Sequence, residues 1–314
     1  MKKNLLAASL AAALSLGSNL AQAGAVITFD QDGLGGGSSA VQMSSLDWVV
    51  NSAVSVGAVP LSPGSTFTTL LHASLGNIID QNGDAINVAS GHEITFVAGF
   101  KELTISANPF PGTASFVSIA GGVNFFEVYY DAVKNSNGLT GTGYNDGQLI
   151  LSGFVNAGGT SNFAVTDVNG GALDQFTNND FPGTTSVKGI GSSKLITTVT
   201  FFDPNFFQNL MVGAVMSVDT DTDLNNPHTK ANPSKCFTNA AGGNAVSSCD
   251  AIANNVDPTA YNPTPGAVNG ISGPDFYLQS DASSSFLIPE PGSLALLGLS
   301  LSALGFARRR TSKA

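Results

Sequence analysis

Residue types that commonly carry out chemistry are sparse in this chain of 314 residues. Histidine occurs three times, as His72, His92 and His228, with no His-Glu-x-x-His or His-x-His pair to hold a metal. No Gly-x-Ser-x-Gly elbow presents a nucleophilic serine. His92 precedes Glu93, but Ser90-Gly91 before it reads as a surface turn rather than the setting of a general base. Carboxylates are the abundant reactive group, and two of them brought from distant strands could flank a glycosidic bond. Most, however, lie in turn settings such as Asp80-Gln81-Asn82-Gly83-Asp84, where a carboxylate accepts nearby backbone amides. The expectation is a protein without catalytic residues or a resident cofactor.

Asp219, Asp221 and Asp223 alternate with Thr220 and Thr222. On an extended strand they would share one face about 6.6 Å apart, too far to chelate one ion, whereas a loop would converge them on calcium. An EF-hand is excluded, because Leu224 occupies the sixth position and Lys230 the twelfth. These three aspartates are the calcium candidates, set against the simpler reading of a solvated acidic loop. The Gly-rich stretch from Asp30 to Ser39 lacks both a lysine and the Gly-x-Gly-x-x-Gly spacing, so it is a turn and not a phosphate loop. Trp48, the single tryptophan, is expected to pack rather than to serve as a sugar platform. Phe201-Phe202-Asp203-Pro204-Asn205-Phe206-Phe207 is expected to turn at Asp203-Pro204 and fold both arms inward.

The elements that would position these residues are short strands. Thr66–Leu71, Ile94–Phe100, Leu103–Ala107, Val123–Tyr130, Gln148–Val155, Leu195–Phe201, Met211–Val218 and Asp275–Gln279 have strand-forming composition between Gly, Asn and Pro turns. Leu195, Thr197, Val199 and Phe201 alternate with Ile196, Thr198 and Thr200, the period of two of a half-buried strand. No internal window of 12 or more residues has helical periodicity. About twelve short strands predict an all-β fold, a β-sandwich with jelly-roll-like wrapping.

Both ends read as addresses. Met1-Lys2-Lys3-Asn4, the apolar run Leu5–Leu16 and Ala21-Gln22-Ala23 have the order of a secretory signal peptide over residues 1–23, cut after Ala23. At the other end, over 289–314, stand Pro289-Glu290-Pro291, the uncharged run Ser293–Ala307 and Arg308-Arg309-Arg310. Fifteen helical residues rise about 22 Å, short of a comfortable transmembrane span. The arginines would snorkel to the headgroups and hold this end on the cytoplasmic side. Between the ends, residues 24–288 form the exported domain, with 6 Lys and 21 Asp or Glu, a formal charge of −15. Such a surface excludes nucleic acid as a partner, because phosphates need Lys and Arg to neutralise them. Export also takes Cys236 and Cys249 out of the reducing cytosol, so they are expected to form a disulfide within the loop-rich segment 219–273. Closing that loop is worth about 3 kcal/mol in the simple chain-entropy model.

A signal peptide at one end with Pro289-Glu290-Pro291, an apolar helix and Arg308–Arg310 at the other resembles the PEP-CTERM class of exported bacterial proteins. The resemblance implies a Gram-negative producer that makes exopolysaccharide and exports the chain across its inner membrane by signal peptidase and the Sec-type route. It further implies transient membrane insertion of the C-terminal helix, processing by a membrane-embedded exosortase, and a final place at the cell surface or outside the cell. The Phe-rich stretch Phe201–Leu210 and the Asp/Asn-rich late region are also similar to the flocculation-associated PEP-CTERM proteins. That similarity implies a non-enzymatic role in biofilm or floc formation with exopolysaccharide. The alternative is a secreted carbohydrate-binding module or a glycan hydrolase using a carboxylate pair.

Overall fold

The computed structural model describes residues 27–35, 39–58, 62–108, 112–138, 141–173, 182–224, 237–238, 260–261, 263–270 and 272–287. Strands come first as β1 (Ile27–Asp30), β2 (Ala40–Val56), β3 (Thr66–Asp80), β4 (Ala85–Asn87), β5 (Glu93–Asn108), β6 (Thr113–Ile119) and β7 (Phe125–Asp131). They continue as β8 (Gln148–Val155), β9 (Thr160–Ala172), β10 (Thr185–Phe202), β11 (Phe207–Gln208), β12 (Val215–Leu224), β13 (Phe237–Thr238), β14 (Ala260–Tyr261) and β15 (Phe276–Leu287). One 3-10 turn, Ala267–Asn269, is the sole helical element among the described residues. The domain is all-β, with an architecture consistent with a β-sandwich.

Thirteen strands hydrogen-bond into one antiparallel sheet that bends back on itself, while β13 and β14 pair separately. Pairing runs from β2 through β3, β5, β6, β9, β10, β12 and β15 and returns to β2, so these eight strands enclose an interior. Two long strands make the bend possible. β5 pairs with β7 through Glu93–Gly99 and with β6 through Lys101–Asn108, and β10 likewise divides its length between β8 and β9. Register shifts at Thr104/Ser106 and Val199/Phe201 mark β-bulges, which increase local twist and let a strand pass from one layer to another.

The strands are therefore longer than the sequence suggests, with β2, β3, β5 and β10 at 15–18 residues. Ile94–Phe100 and Leu103–Ala107, read as separate strands, are one continuous β5. The polar pair Lys101-Glu102 does not break it, because period two keeps Phe96, Ala98, Phe100 and Glu102 on one face.

The interior is aromatic. Trp48 is 1% exposed, lies edge-on to Phe96 at 4.6 Å and donates through Nε1 to Ser284 Oγ at 2.9 Å. Phe96 in turn stacks on Phe126, and Phe29 meets Phe207 at 4.9 Å. The packing reading of Trp48 holds, whereas the Phe201–Phe207 segment needs correction. Asp203 does turn the chain, with its carbonyl accepting Phe206 N and Phe207 N. Phe206 and Phe207 are buried, but Phe201 points outward and is 43% exposed. The bulge at Thr200 shifts the alternation by one residue and sends Phe201 to the solvent face opposite Ser152.

Candidate functional site

The ring of eight strands encloses a cavity of about 60 Å³, room for a few waters at most. Phe67, Phe100, Phe116, Phe163 and Phe276 make its walls apolar, and one carboxyl, Glu102, sits among them. Its Oε2 accepts from Thr69 Oγ1 at 2.5 Å and its Oε1 from Ser161 Oγ at 2.6 Å, with Ser55 Oγ 3.3 Å beyond Thr69. Burial raises the Glu102 pKa above its ordinary value, and the bonds from Ser161 and Thr69 only partly oppose that shift. An apolar cavity that holds one perturbed acid among converging hydroxyls has the make-up of a small binding site. Sequence reading missed it. The available signal was that Glu102 continues the inward series Phe96, Ala98, Phe100.

Of the predicted calcium residues, Asp219 and Asp221 lie on the opposite, outer side of the sheet. Strand β12 runs on to Leu224, so Asp219, Asp221 and Asp223 stand at alternate positions of a strand, opposite Lys194, Ser192 and Ile190 of β10. The acidic-loop reading is thus corrected: Thr220 is buried on the inner face while Asp219 and Asp221 are exposed, the alternation of a half-buried strand. Neighbouring strands add Asp47 and Asp281, and these with Asp219 and Asp221 line a surface hollow of about 230 Å³. Asp47 accepts from Asn77, and Asp219 from Ser217. Among the described residues no group of three His, Cys, Asp or Glu is arranged to hold a metal ion.

Neither described histidine, His72 or His92, is a surface group, and His228 lies outside the described residues. His92, expected in an exposed turn, is 7% exposed against the Tyr130 ring, and burial lowers its pKa. His72 is buried between two aromatic rings. The Asp80 turn forms as read, its Oδ1 accepting the amides of Asn82 and Asp84.

The remaining predicted residues lie outside the described ones: Ala21 and Ala23 of the cleavage site, Cys236 and Cys249, Pro289, Glu290 and Pro291, the apolar run, and Arg308, Arg309 and Arg310. No described helix is long and apolar enough to cross a membrane. Comparison with known proteins bears on this C-terminal part. A family model described as the PEP-CTERM protein-sorting motif matches residues 287–310. No curated protein and no solved structure matches the chain. The chain therefore carries the sorting signal of exosortase substrates, which marks it for export and an eventual place at the cell surface or outside the cell.

Proposed function

We propose that this jelly-roll-like sandwich is a non-enzymatic component of the cell surface or extracellular matrix, acting in biofilm or floc formation together with exopolysaccharide. The observation that carries the reading is the sorting motif at residues 287–310. The outer surface supports it: Asn162 Nδ2 reaches Ser192 Oγ at 2.8 Å, Asn156 pairs with Thr198, and Ser152 pairs with Thr200, a ladder of hydroxyls and amides along β8, β9 and β10. Such groups exchange hydrogen bonds readily with sugar hydroxyls and with bridging water. Phe154 and Phe201 favour the carbohydrate-binding form of this role. They are 41% and 43% exposed on adjacent strands beside Ser152 and Thr198, where a sugar ring can lie on an aromatic face.

The purified mature domain is expected to co-sediment with exopolysaccharide from its producer, and Phe154→Ser/Phe201→Ser to co-sediment less. A protein that stays in the supernatant at every polysaccharide concentration contradicts the matrix role. Release of new reducing ends from that polysaccharide would instead make the domain a hydrolase.

A further inference from the structure

The cavity around Glu102 lies between two rungs of paired strands. On one rung Phe276 of β15, Ser55 of β2, Thr69 of β3 and Phe100 of β5 stand side by side in register. On the other, Phe116 of β6, Ser161 of β9, Ser193 of β10 and Thr220 of β12 do the same. All of these line the cavity. Glu102 joins the rungs, because its Oε2 accepts from Thr69 and its Oε1 from Ser161.

The wall therefore combines two chemistries. Its polar part is made of hydroxyls, each able to accept as well as donate a hydrogen bond. Its apolar part is aromatic: Phe67 meets Phe116 edge to face at 5.1 Å, and Phe163 meets Phe276 in the same way at 5.1 Å. Glu102 is the sole titratable group among the described lining residues, which come from β2, β3, β5, β6, β9, β10, β12 and β15. Lys101 and Lys194, adjacent in sequence to Glu102 and Ser193, are one residue out of step and face the other side of the sheet.

A buried carboxylate that meets hydroxyls but no basic side chain gains from a counter-charge brought from outside. Without one, burial favours the protonated form and raises the pKa. Divalent ions call for several carboxylates or carbonyls, and this wall supplies one carboxylate. A primary ammonium fits better. Its three N–H donors are met by Glu102 and hydroxyl oxygens, while its charge and carbon chain both lie favourably against phenyl rings. The volume of about 60 Å³ limits the whole ligand to about four heavy atoms, at ~15 Å³ for each water-sized group.

We propose that the Glu102 cavity binds a small primary alkylammonium ion of the size of ethylammonium or propylammonium, with its nitrogen at the carboxylate and hydroxyls and its carbon chain among the phenylalanines. On binding, Glu102 gives its proton to solvent and the ammonium takes that proton's place beside the carboxylate. Phe154 and Phe201 lie on the outer face, so this site is independent of any polysaccharide held there.

Isothermal titration of the full exported chain with propylammonium chloride tests this. One site is expected, with an affinity that rises about tenfold per pH unit from pH 5 up to the pKa of the unliganded Glu102 and levels off above it. On the rising limb each binding event releases a proton, which buffers of different ionisation enthalpy report. Propan-1-ol has the same size without the charge, and hexylammonium exceeds the cavity; both are expected to bind more weakly by about tenfold or more. Glu102→Gln loses the ammonium affinity by a similar factor together with its pH slope. Thr220→Val keeps the side-chain shape, removes one hydroxyl and weakens binding severalfold at every pH. The proposal is overturned by an absence of saturable propylammonium binding at pH 8, by equal affinity for propan-1-ol, hexylammonium or sodium ions, or by unchanged binding in Glu102→Gln.

Discussion

Trp48→Ala is expected to destabilise the exported domain by about 3–5 kcal/mol in urea unfolding, the usual cost of emptying a large aromatic site from a core. Trp48 joins three elements at once. Its ring meets Phe96 of β5 from β2, and its indole N–H reaches Ser284 of β15. Truncation leaves a cavity and also a buried Ser284 hydroxyl without its donor. Against a total stability of about 5–15 kcal/mol for an ordinary domain, the loss would unfold a substantial fraction of molecules. Trp48→Phe retains most of the volume and separates the hydrogen bond from the packing. A loss below about 1 kcal/mol for the alanine variant would contradict the buried, inter-strand role of Trp48.

Glu102→Gln should change the pH dependence of stability rather than simply lower it. Burial holds the folded-state pKa of Glu102 above its ordinary value of 4.5. As pH rises past about 4.5 the unfolded chain loses this proton while the folded chain keeps it, so stability is full below that pH and falls as pH rises towards the folded pKa. Glutamine has the same shape and no proton to lose. Its advantage over the wild type should therefore grow above pH 4.5 by up to about 1.4 kcal/mol per pH unit. Thr69 and Ser161 remain as hydroxyl partners that can donate to the amide oxygen and accept from its nitrogen. Chemical denaturation at pH 4, 6 and 8 reads this directly, and parallel curves for the two proteins would contradict a raised Glu102 pKa.

Much of the fold was legible because period two is strong where one face is buried. Leu195, Val199 and their neighbours follow from it, while the packing of Trp48 follows from what a single tryptophan usually does in a β domain. Strand length was not legible, since the polar pair Lys101-Glu102 reads as punctuation and only the enclosing ring of strands makes Glu102 an inward residue. The bulge at Thr200 hid the outward turn of Phe201 for a related reason: a one-residue shift comes from cross-strand pairing, which local composition does not encode. Asp219, Asp221 and Asp223 looked like a loop because alternating Thr and Asp suits either state, and the β10 partner decides it. Asp47 and Asp281, which share their hollow, are 172 and 62 residues away in sequence from Asp219 and carry no local mark. The sorting signal, by contrast, is linear and was read in full, because Pro289-Glu290-Pro291, an apolar run and Arg308–Arg310 act as a contiguous address.

That address is the central claim, and intact-mass spectrometry of the protein recovered from the cell exterior tests it most directly. The mass is expected to correspond to a chain that has lost Arg308, Arg309, Arg310 and the residues up to Ala314, with a new C-terminus near Pro289-Glu290-Pro291. An exported protein that still ends in Ala314 would contradict sorting by an exosortase.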